Sequence, residues 1–170
     1  MMNYKIVKAK RKTVSLSVND ELEIVVRAPY FVSSKEIDKF VLSNKKWIEK
    51  AVEKKRTQLK KYSLSDDEVN RLITKAENVI PQRVEYYSKL MSLSPTGVKI
   101  TKAKKRFGSC SSRNSLCFSC YLMLYPMEAI DYVVVHELAH IKHHNHSSDF
   151  YNLIKNYMPD YKEREKLLKT

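Results

Sequence analysis

Glycine and cysteine are scarce in this chain of 170 residues, and each scarcity excludes a class of protein. The two glycines, Gly97 and Gly108, are too few and too far apart for a glycine-rich loop that holds nucleotide phosphates. The three cysteines are an odd number, which argues against a disulfide framework and for a reducing compartment. We therefore expect neither a Walker-type or dinucleotide-binding enzyme nor a disulfide-stabilised secreted domain.

Long apolar runs are also missing. No stretch approaches the roughly 20 apolar residues that a membrane-spanning helix needs. The first residues lack the apolar segment of a secretory signal. Together with the cysteine count, these features predict a cytoplasmic protein that has no membrane contact.

Acidic residues are few relative to basic ones. The chain has 32 Lys and Arg against 19 Asp and Glu, a formal net charge of +13. This surplus favours contact with a polyanion such as nucleic acid, nucleotide or an acidic protein, although a basic, solvated surface explains it equally well. Much of the charge lies in residues 1–60, and the segment 99–113 is basic without any acid. If a polyanion binds there, its affinity should fall steeply with salt.

The first 60 residues have the patterns of a hairpin followed by a helix. Polar and apolar residues alternate over 12–28, with a turn in the middle, which predicts a β-hairpin that ends at Pro29. Ser33 and Glu36 have the spacing of a capping box. Helical periodicity then continues to about Lys60, so we predict one long amphipathic helix.

The remainder predicts a small sheet between helices. Ser65 and Glu68 repeat the capping-box spacing, and Pro81 should kink or restart the helix that they begin. A strand is expected over 98–101 and a long, half-buried strand over 115–124. Pro126 then opens a helix, and two short terminal helices follow. The order of hairpin, long helices, small sheet and further helices indicates an α+β fold.

The strongest chemical signal is the segment His136-Glu137-Leu138-Ala139-His140, which has the form H-E-x-x-H. Histidines four residues apart lie on one face of a helix, so both imidazoles can reach one zinc ion. Glu137 can take the proton of a zinc-bound water as that water attacks a carbonyl, and can pass it to the leaving group. The pattern predicts a zinc-dependent hydrolase, most simply a peptidase.

A catalytic zinc ion normally has three protein ligands and one open position, so the pattern requires a third ligand beyond His136 and His140. His146 gives the spacing H-E-x-x-H-x5-H, shared by zincins whose third ligand follows a turn after the helix. His143 stands where those proteins usually have a glycine, so Asn145 is the residue expected to adopt a positive φ. We predict His146 as the third ligand. The alternatives are His143, His144, Asp149, Asp160 and Glu163.

Several segments together resemble one family. They are Tyr132 to His140, Asn145-His146-Ser147, Phe150, Arg11-Lys12-Thr13, Val26 to Pro29, Trp47-Ile48, Arg106 to Ser111 and Met158 to Tyr161. In this combination they resemble the YgjP-like metallopeptidases, predicted zinc hydrolases related to the SprT-type and WLM-type zincins. Two positions depart from the family's pattern, since Phe107 stands where a tryptophan is usual and Asn114 where a glycine is usual.

The resemblance implies a zincin-like core, built from a small β-sheet and the active-site helix, after an N-terminal β-hairpin and long helices. Residues 1–170 would form a single YgjP-like domain, with a basic subdomain over 1–60 and the catalytic core over 62–170. The resemblance also implies that His136, His140 and His146 bind zinc and that Glu137 is the general base.

The segment around Gly108 has two interpretations. Gly108 could allow a close backbone approach at the mouth of the cleft, or it could simply pack a turn. The segment 114–122 is our candidate for an edge strand that pairs with an extended peptide substrate. Cys117 and Cys120 have C-x2-C spacing, but no second pair accompanies them, so a structural zinc site there is not expected.

Two other functions stay open. One is a zinc-assisted hydrolase of nucleotide phosphoanhydrides, for which the basic segment 99–113 would bind phosphate. The other is a nucleic-acid-associated module with a structural zinc ion. A structural site needs four protein ligands and no free carboxylate base, which the H-E-x-x-H pattern does not favour.

Overall fold

The computed structural model describes residues 3–169. The chain divides into two compact units, with the boundary between Ser63 and Leu64. Each unit combines a three-stranded sheet with helices, so the fold is α+β, as the sequence predicted. Within the described residues, no helix combines the length and the apolar character that crossing a bilayer requires.

The sheet of the first unit contains the predicted hairpin and one further strand. Strands β2 (Ser15–Val18) and β3 (Ile24–Pro29) pair antiparallel. Strand β1 (Tyr4–Ala9) pairs parallel with β3, so β3 is the central strand. Strand β1 was not predicted, because parallel pairing joins residues far apart in sequence and leaves no local turn signal.

Two helices follow where the sequence predicted one. Helix α1 is Ser34–Ser43 and helix α2 is Lys45–Lys61. The capping box of Ser33 and Glu36 is confirmed, since both of its hydrogen bonds are present. The single long helix is wrong because Asn44 leaves helical geometry at φ −102° and ψ 14°, and its side chain donates to the Phe40 carbonyl over 2.8 Å. A short amide side chain that bonds the preceding turn competes with the helix in this way.

The second unit begins with helix α3 (Asp66–Met91), the longest in the chain at 26 residues. The capping box of Ser65 and Glu68 is confirmed here too. The helix does not restart at Pro81, which lies inside it. Buried side chains on both sides of the proline, at Ile80 and Val84, hold the helix together. Their packing outweighs the hydrogen bond that the proline removes.

Three strands form the second sheet: β4 (Gly97–Thr101), β5 (Gly108–Cys110) and β6 (Ser115–Ser119). Strand β6 is central, parallel to β4 and antiparallel to β5. The expected edge strand over 114–122 is therefore wrong, and the two edges belong to β4 and β5.

The expected strand over 115–124 is also too long. The chain leaves the sheet at Ser119, whose hydroxyl accepts a hydrogen bond from the Tyr121 backbone N–H over 3.2 Å. A short 3-10 helix, Cys120–Leu124, follows, and its first four residues are buried. Because neighbouring residues in this segment are all buried, the alternation read from the sequence did not reflect one buried and one exposed face, and it predicted a strand wrongly.

Three helices complete the second unit: α4 (Met127–Lys142), α5 (Ser148–Tyr157) and α6 (Tyr161–Leu167). Helix α4 starts directly after Pro126, as predicted. It contacts α3, α5, α6 and β5. Its side chains are buried over most of its length, so its position in the unit is tightly defined.

A buried carboxylate ties α4 to two neighbouring helices. Asp131 on α4 is 6% exposed, and Arg83 on α3 donates to both of its oxygens over 2.6 and 2.8 Å. Tyr87 donates to the same carboxylate over 3.2 Å, and Arg164 on α6 lies 3.8 Å from it. A bidentate guanidinium pair with further hydrogen bonds satisfies a buried charge well. The network therefore fixes the rotation of α4 about its own axis.

Replacing Asp131 by asparagine should loosen this attachment. Arg83 would lose its charged partner inside the unit, and we expect the stability of the second unit to fall by about 2 kcal/mol. Faster amide hydrogen exchange in residues 127–142 would measure the loss. Asp160→Asn is the matched control, because Asp160 is 54% exposed and pairs only at the surface with Arg164. Equal exchange in the two variants would contradict a special role for Asp131.

Candidate metal centre

Three histidines meet at one point on the second unit. The imidazole nitrogens of His136, His140 and His146 lie within 4.8 Å of one another. The Nε2 atoms of His136 and His146 are 3.1 Å apart. His136 and His140 come from successive turns of α4, and His146 comes from the connection to α5. The structure thus brings together the three histidines that the sequence singled out.

The turn that returns His146 to the helix begins at His143. Helix α4 ends at Lys142, and His143 is extended, with φ −131° and ψ 100°. Ser147 then caps α5 by accepting from the Phe150 backbone N–H over 3.5 Å. The expected positive φ at Asn145 is wrong. In the described part of the chain, only Leu22, Ser92 and Asn114 have a positive φ. An extended residue at the end of the helix reverses the chain without needing a left-handed residue.

Asn114 explains one departure from the family's pattern. Its φ is 60°, in the left-handed region that favours glycine and tolerates asparagine better than most residues. The backbone N–H of Asn114 donates to the Ser111 carbonyl over 2.9 Å, within the turn between β5 and β6. Asparagine therefore occupies, at a position where the resemblance led us to expect glycine, a conformation that favours glycine.

Phe150 forms the floor of the histidine cluster. Its side chain is fully buried, and its ring centroid lies 4.9 Å from His136, 4.6 Å from His140 and 4.8 Å from His146. One aromatic ring thus contacts all three imidazoles and limits their rotation. The sequence indicated Phe150 only through the family resemblance, because a contact shared by three rings leaves no sequence signal beyond an apolar residue near the start of a helix.

Hydrogen bonds on the outer side orient two of the rings. Nδ1 of His140 lies 3.0 Å from the His143 carbonyl, which can only accept, so Nδ1 carries the proton. The Nε2 lone pair of His140 is then free for a metal ion. The Tyr132 hydroxyl lies 3.5 Å from Nδ1 of His136. His143 thus acts through its backbone, a role that its side chain could not reveal in the sequence.

Burial favours the neutral form of two of the imidazoles, those of His136 and His140. It lowers the pKa of His136 to about 3, with a further contribution from the neighbouring His140 and His146. Burial also lowers the pKa of His140. Neutral imidazole is the form that binds a metal ion, so His136 and His140 are ready to accept a cation at neutral pH.

Glu137 lies beside the cluster, packed against strand β5. It is 6% exposed, and burial raises its pKa to about 7, although the positive charge of Arg106 opposes the rise. A Cβ atom added to Gly108 would lie 2.6 Å from both Cγ and Oε1 of Glu137. Of the two interpretations of Gly108, the close approach is therefore confirmed, and its neighbour is the glutamate of the H-E-x-x-H segment.

Other residues weighed as ligands lie outside the cluster. Within the described residues, no carboxylate or thiol joins the three histidines within that distance, and His143 and His144 do not join them either. The remaining sequence candidates, Asp149, Asp160 and Glu163, are likewise absent from the group. All three cysteines are free, as the odd count indicated.

In this α+β fold, one helix and the turn after it present three imidazoles and a buried glutamate. This is the arrangement of a metallopeptidase. Comparison with models of protein families identifies the family within this class. The model of the YgjP-like metallopeptidase domain matches residues 12–71 and 61–170, and the chain belongs to this family. The protein is therefore a peptidase of the metal-dependent class. The comparisons give no support to nucleic-acid binding, which stays a prediction.

Two solved structures are similar to about half of the chain. One is the metallopeptidase zymogen abylysin of Pyrococcus abyssi, with 22% identity, a TM-score of 0.49, and coverage of 53% of this chain and 91% of that one. The other is the metallopeptidase zymogen jannalysin of Methanocaldococcus jannaschii, with 24% identity, a TM-score of 0.47, and coverage of 52% and 92%. No curated protein matches the sequence.

Proposed function

We propose that this protein is a zinc-dependent peptidase in which His136, His140 and His146 hold the metal ion and Glu137 is the general base. One observation carries the proposal: three imidazole nitrogens within 4.8 Å of one another adjoin a buried carboxylate on the same helix. Membership of a metallopeptidase family agrees with this assignment.

The donor set suits zinc. Neutral imidazole is a common zinc ligand, whereas calcium and magnesium prefer oxygen. The 3.1 Å between Nε2 of His136 and Nε2 of His146 is close to the separation of two ligands in a tetrahedral zinc site, roughly 3.3 Å for zinc–nitrogen bonds of about 2.0–2.1 Å. Three protein ligands leave one position open for chemistry. When bound, zinc acts as a Lewis acid that polarises the peptide carbonyl and acidifies water.

Glu137 has the environment of a proton carrier. Burial raises the pKa of its carboxyl group to about 7, so it can both accept and release a proton near neutral pH. As water attacks the peptide carbonyl, the carboxylate takes a proton from the water. It then delivers that proton to the departing amine nitrogen. The close backbone at Gly108 limits where the Glu137 side chain can lie.

Strand β5 replaces the rejected segment 114–122 as the place where substrate would pair. It is an edge strand of the second sheet, and α4 contacts it. An extended peptide can add to a free strand edge through backbone hydrogen bonds. Because Gly108 on β5 adjoins Glu137, a peptide held there would pass the proton carrier.

A cleavage screen tests the proposed function. The zinc-loaded protein is incubated with a mixed peptide library, unfolded proteins and nucleoside triphosphates, and the products are identified by mass spectrometry. Zinc-dependent cleavage of peptide bonds supports the proposal. Release of phosphate or pyrophosphate without peptide cleavage would instead establish the phosphoanhydride alternative.

Gly108→Ala should impair this chemistry without unfolding the protein. The new Cβ would lie 2.6 Å from Glu137, so the carboxylate must shift away from its position. A displacement of about 1 Å in a catalytic group can reduce the rate about a hundredfold, and we expect kcat to fall by about that factor.

Gly97→Ala is the matched control for this substitution. Its Cβ would meet only the Ser115 hydroxyl, at an ordinary distance of 3.9 Å. We expect activity close to that of the unsubstituted protein. If Gly108→Ala were as active as Gly97→Ala, the packing of Glu137 against β5 would have no catalytic importance.

A further inference from the structure

A compact group of positive charges lies next to the proposed catalytic site. We call residues 102–106 the basic loop, because four of its five residues are lysine or arginine and all four are exposed. The loop joins strand β4 to the start of strand β5. The surrounding segment 99–113 contains no acidic residue, so nothing in that stretch neutralises these charges.

One buried serine holds both ends of the basic loop. The Ser119 hydroxyl donates to the Ala103 carbonyl over 2.6 Å, and its backbone N–H donates to the Phe107 carbonyl over 2.8 Å. Ser119 is 1% exposed. The Phe107 ring packs edge-on against Tyr125 with the centroids 5.0 Å apart. These contacts hold the backbone of the basic loop against the sheet, so its charged side chains extend from a fixed backbone.

Arg106 is the member of the loop nearest to Glu137 along the backbone. It precedes Gly108 by two residues, and two residues span at most about 7 Å. Gly108 itself is in contact with the Glu137 side chain. In the part of the chain that the structure describes, no acidic side chain forms an ion pair with Arg106.

We infer that the basic loop makes this peptidase selective for acidic substrates, with Arg106 binding a carboxylate side chain one or two residues from the scissile bond. The inference rests on the proposed function. A guanidinium that forms no ion pair within the described residues, as here, can bind a carboxylate through two parallel hydrogen bonds. Because β5 begins directly after the loop, a peptide paired with that strand would pass Arg106 close to the cleavage point.

A peptide fits this loop better than nucleic acid does. Proteins that bind single strands combine positive charge with exposed aromatic rings on which bases stack. The aromatic rings next to the basic loop are already engaged. Phe107 packs against Tyr125, and the Lys104 ammonium lies over the Tyr121 ring at 5.7 Å from its centroid. The loop thus offers charge without a stacking surface.

The test compares matched peptides. A mixed peptide library first gives the residues preferred around the cleavage point. Two peptides are then made that differ only in Glu or Gln at the position of strongest selection. We expect kcat/KM to favour the Glu peptide by about tenfold, as for a charge-assisted hydrogen bond at a partly exposed site. Arg106→Gln should bring this ratio close to one, and Arg106→Glu should make a Lys peptide the better substrate.

Lys99→Gln is the control, because Lys99 is an exposed base on β4, at the opposite edge of the same sheet. It should keep the full preference for the Glu peptide. An unchanged ratio in Arg106→Gln would overturn the inference, as would equal cleavage of the two peptides by the unsubstituted protein. Both results leave the peptidase assignment intact. Failure to cleave any peptide would overturn both the peptidase assignment and the inferred preference for acidic substrates.

A further experiment distinguishes binding of an acidic peptide from binding of nucleic acid at the basic loop. A single-stranded oligonucleotide and a Glu-rich peptide of equal charge are compared as inhibitors, each with and without Arg106→Gln. We expect inhibition by the peptide to depend on Arg106. If only inhibition by the oligonucleotide depended on Arg106, the basic loop would be a nucleic-acid site and the inference would be wrong.

Discussion

Glu137→Gln is expected to keep one zinc ion per chain and to lose peptidase activity by at least about a thousandfold, within the range that general acid–base groups contribute. Glutamine has nearly the same shape as glutamate, so the packing against Gly108 and the three histidines is preserved. It cannot accept the proton of the attacking water. Zinc content by mass spectrometry and kcat on a cleaved peptide measure the two effects separately.

Glu128→Gln is the control for this experiment. Glu128 lies in the first turn of the same helix and is exposed, so its replacement removes an equal charge away from the site. We expect normal zinc content and normal turnover. Full activity in Glu137→Gln would rule out the proposed role of Glu137, and loss of zinc would show that the glutamate holds the metal ion instead.

His146→Ala is expected to weaken zinc binding about as severely as His140→Ala. Loss of a residue that merely orients a ligand typically costs 10- to 100-fold in metal affinity, so loss of a ligand should cost more than about a hundredfold. His146 is the residue for which the sequence left alternatives open, and its nitrogen lies 3.1 Å from that of His136. Competition with a chromophoric zinc chelator measures the affinities.

His143→Ala and His144→Ala serve as the controls. The His143 contact with His140 is made by its backbone carbonyl, which alanine keeps. Neither side chain belongs to the cluster, so both variants should bind zinc almost normally. Tight, stoichiometric zinc in His146→Ala would exclude His146 and redirect the search to Asp149, Asp160 or Glu163.

Features encoded by a few neighbouring residues could be predicted from the sequence. The capping boxes at Ser33 and Ser65 need only a hydroxyl and a carboxylate three residues apart, and both form. The pair His136 and His140 needs only a helix, because its spacing follows from the helical repeat. His146 follows at the H-E-x-x-H-x5-H spacing, and in the structure it joins the pair just before Ser147, the residue that caps the next helix.

Features that depend on distant parts of the chain could not be predicted. The central position of β6 is set by pairing with two strands, and a single strand's pattern does not distinguish centre from edge. The contact between Gly108 and Glu137 joins residues 29 positions apart, and the glycine alone did not identify its partner. The position of Phe150 under all three imidazoles depends on how α5 packs on α4.

Pro81 illustrates how packing overrides a local rule. Proline removes one helical hydrogen bond and crowds the preceding turn, which predicted a kink or a restart of the helix, and the restart does not occur. Ile80 and Val84 are nevertheless buried on the same helix, and α3 is helical throughout. The free energy gained by burying these side chains, of the order of 1.5–3 kcal/mol each, is comparable with the cost of the proline.

The proposed function requires a catalytic metal centre with three histidine ligands and one open position. X-ray absorption at the zinc edge of the purified protein examines that claim directly. We predict a tetrahedral site with three imidazole nitrogens and one further light atom, at distances of about 2.0–2.1 Å. A sulfur neighbour at about 2.3 Å, four protein ligands, or a protein that retains no zinc would contradict the account.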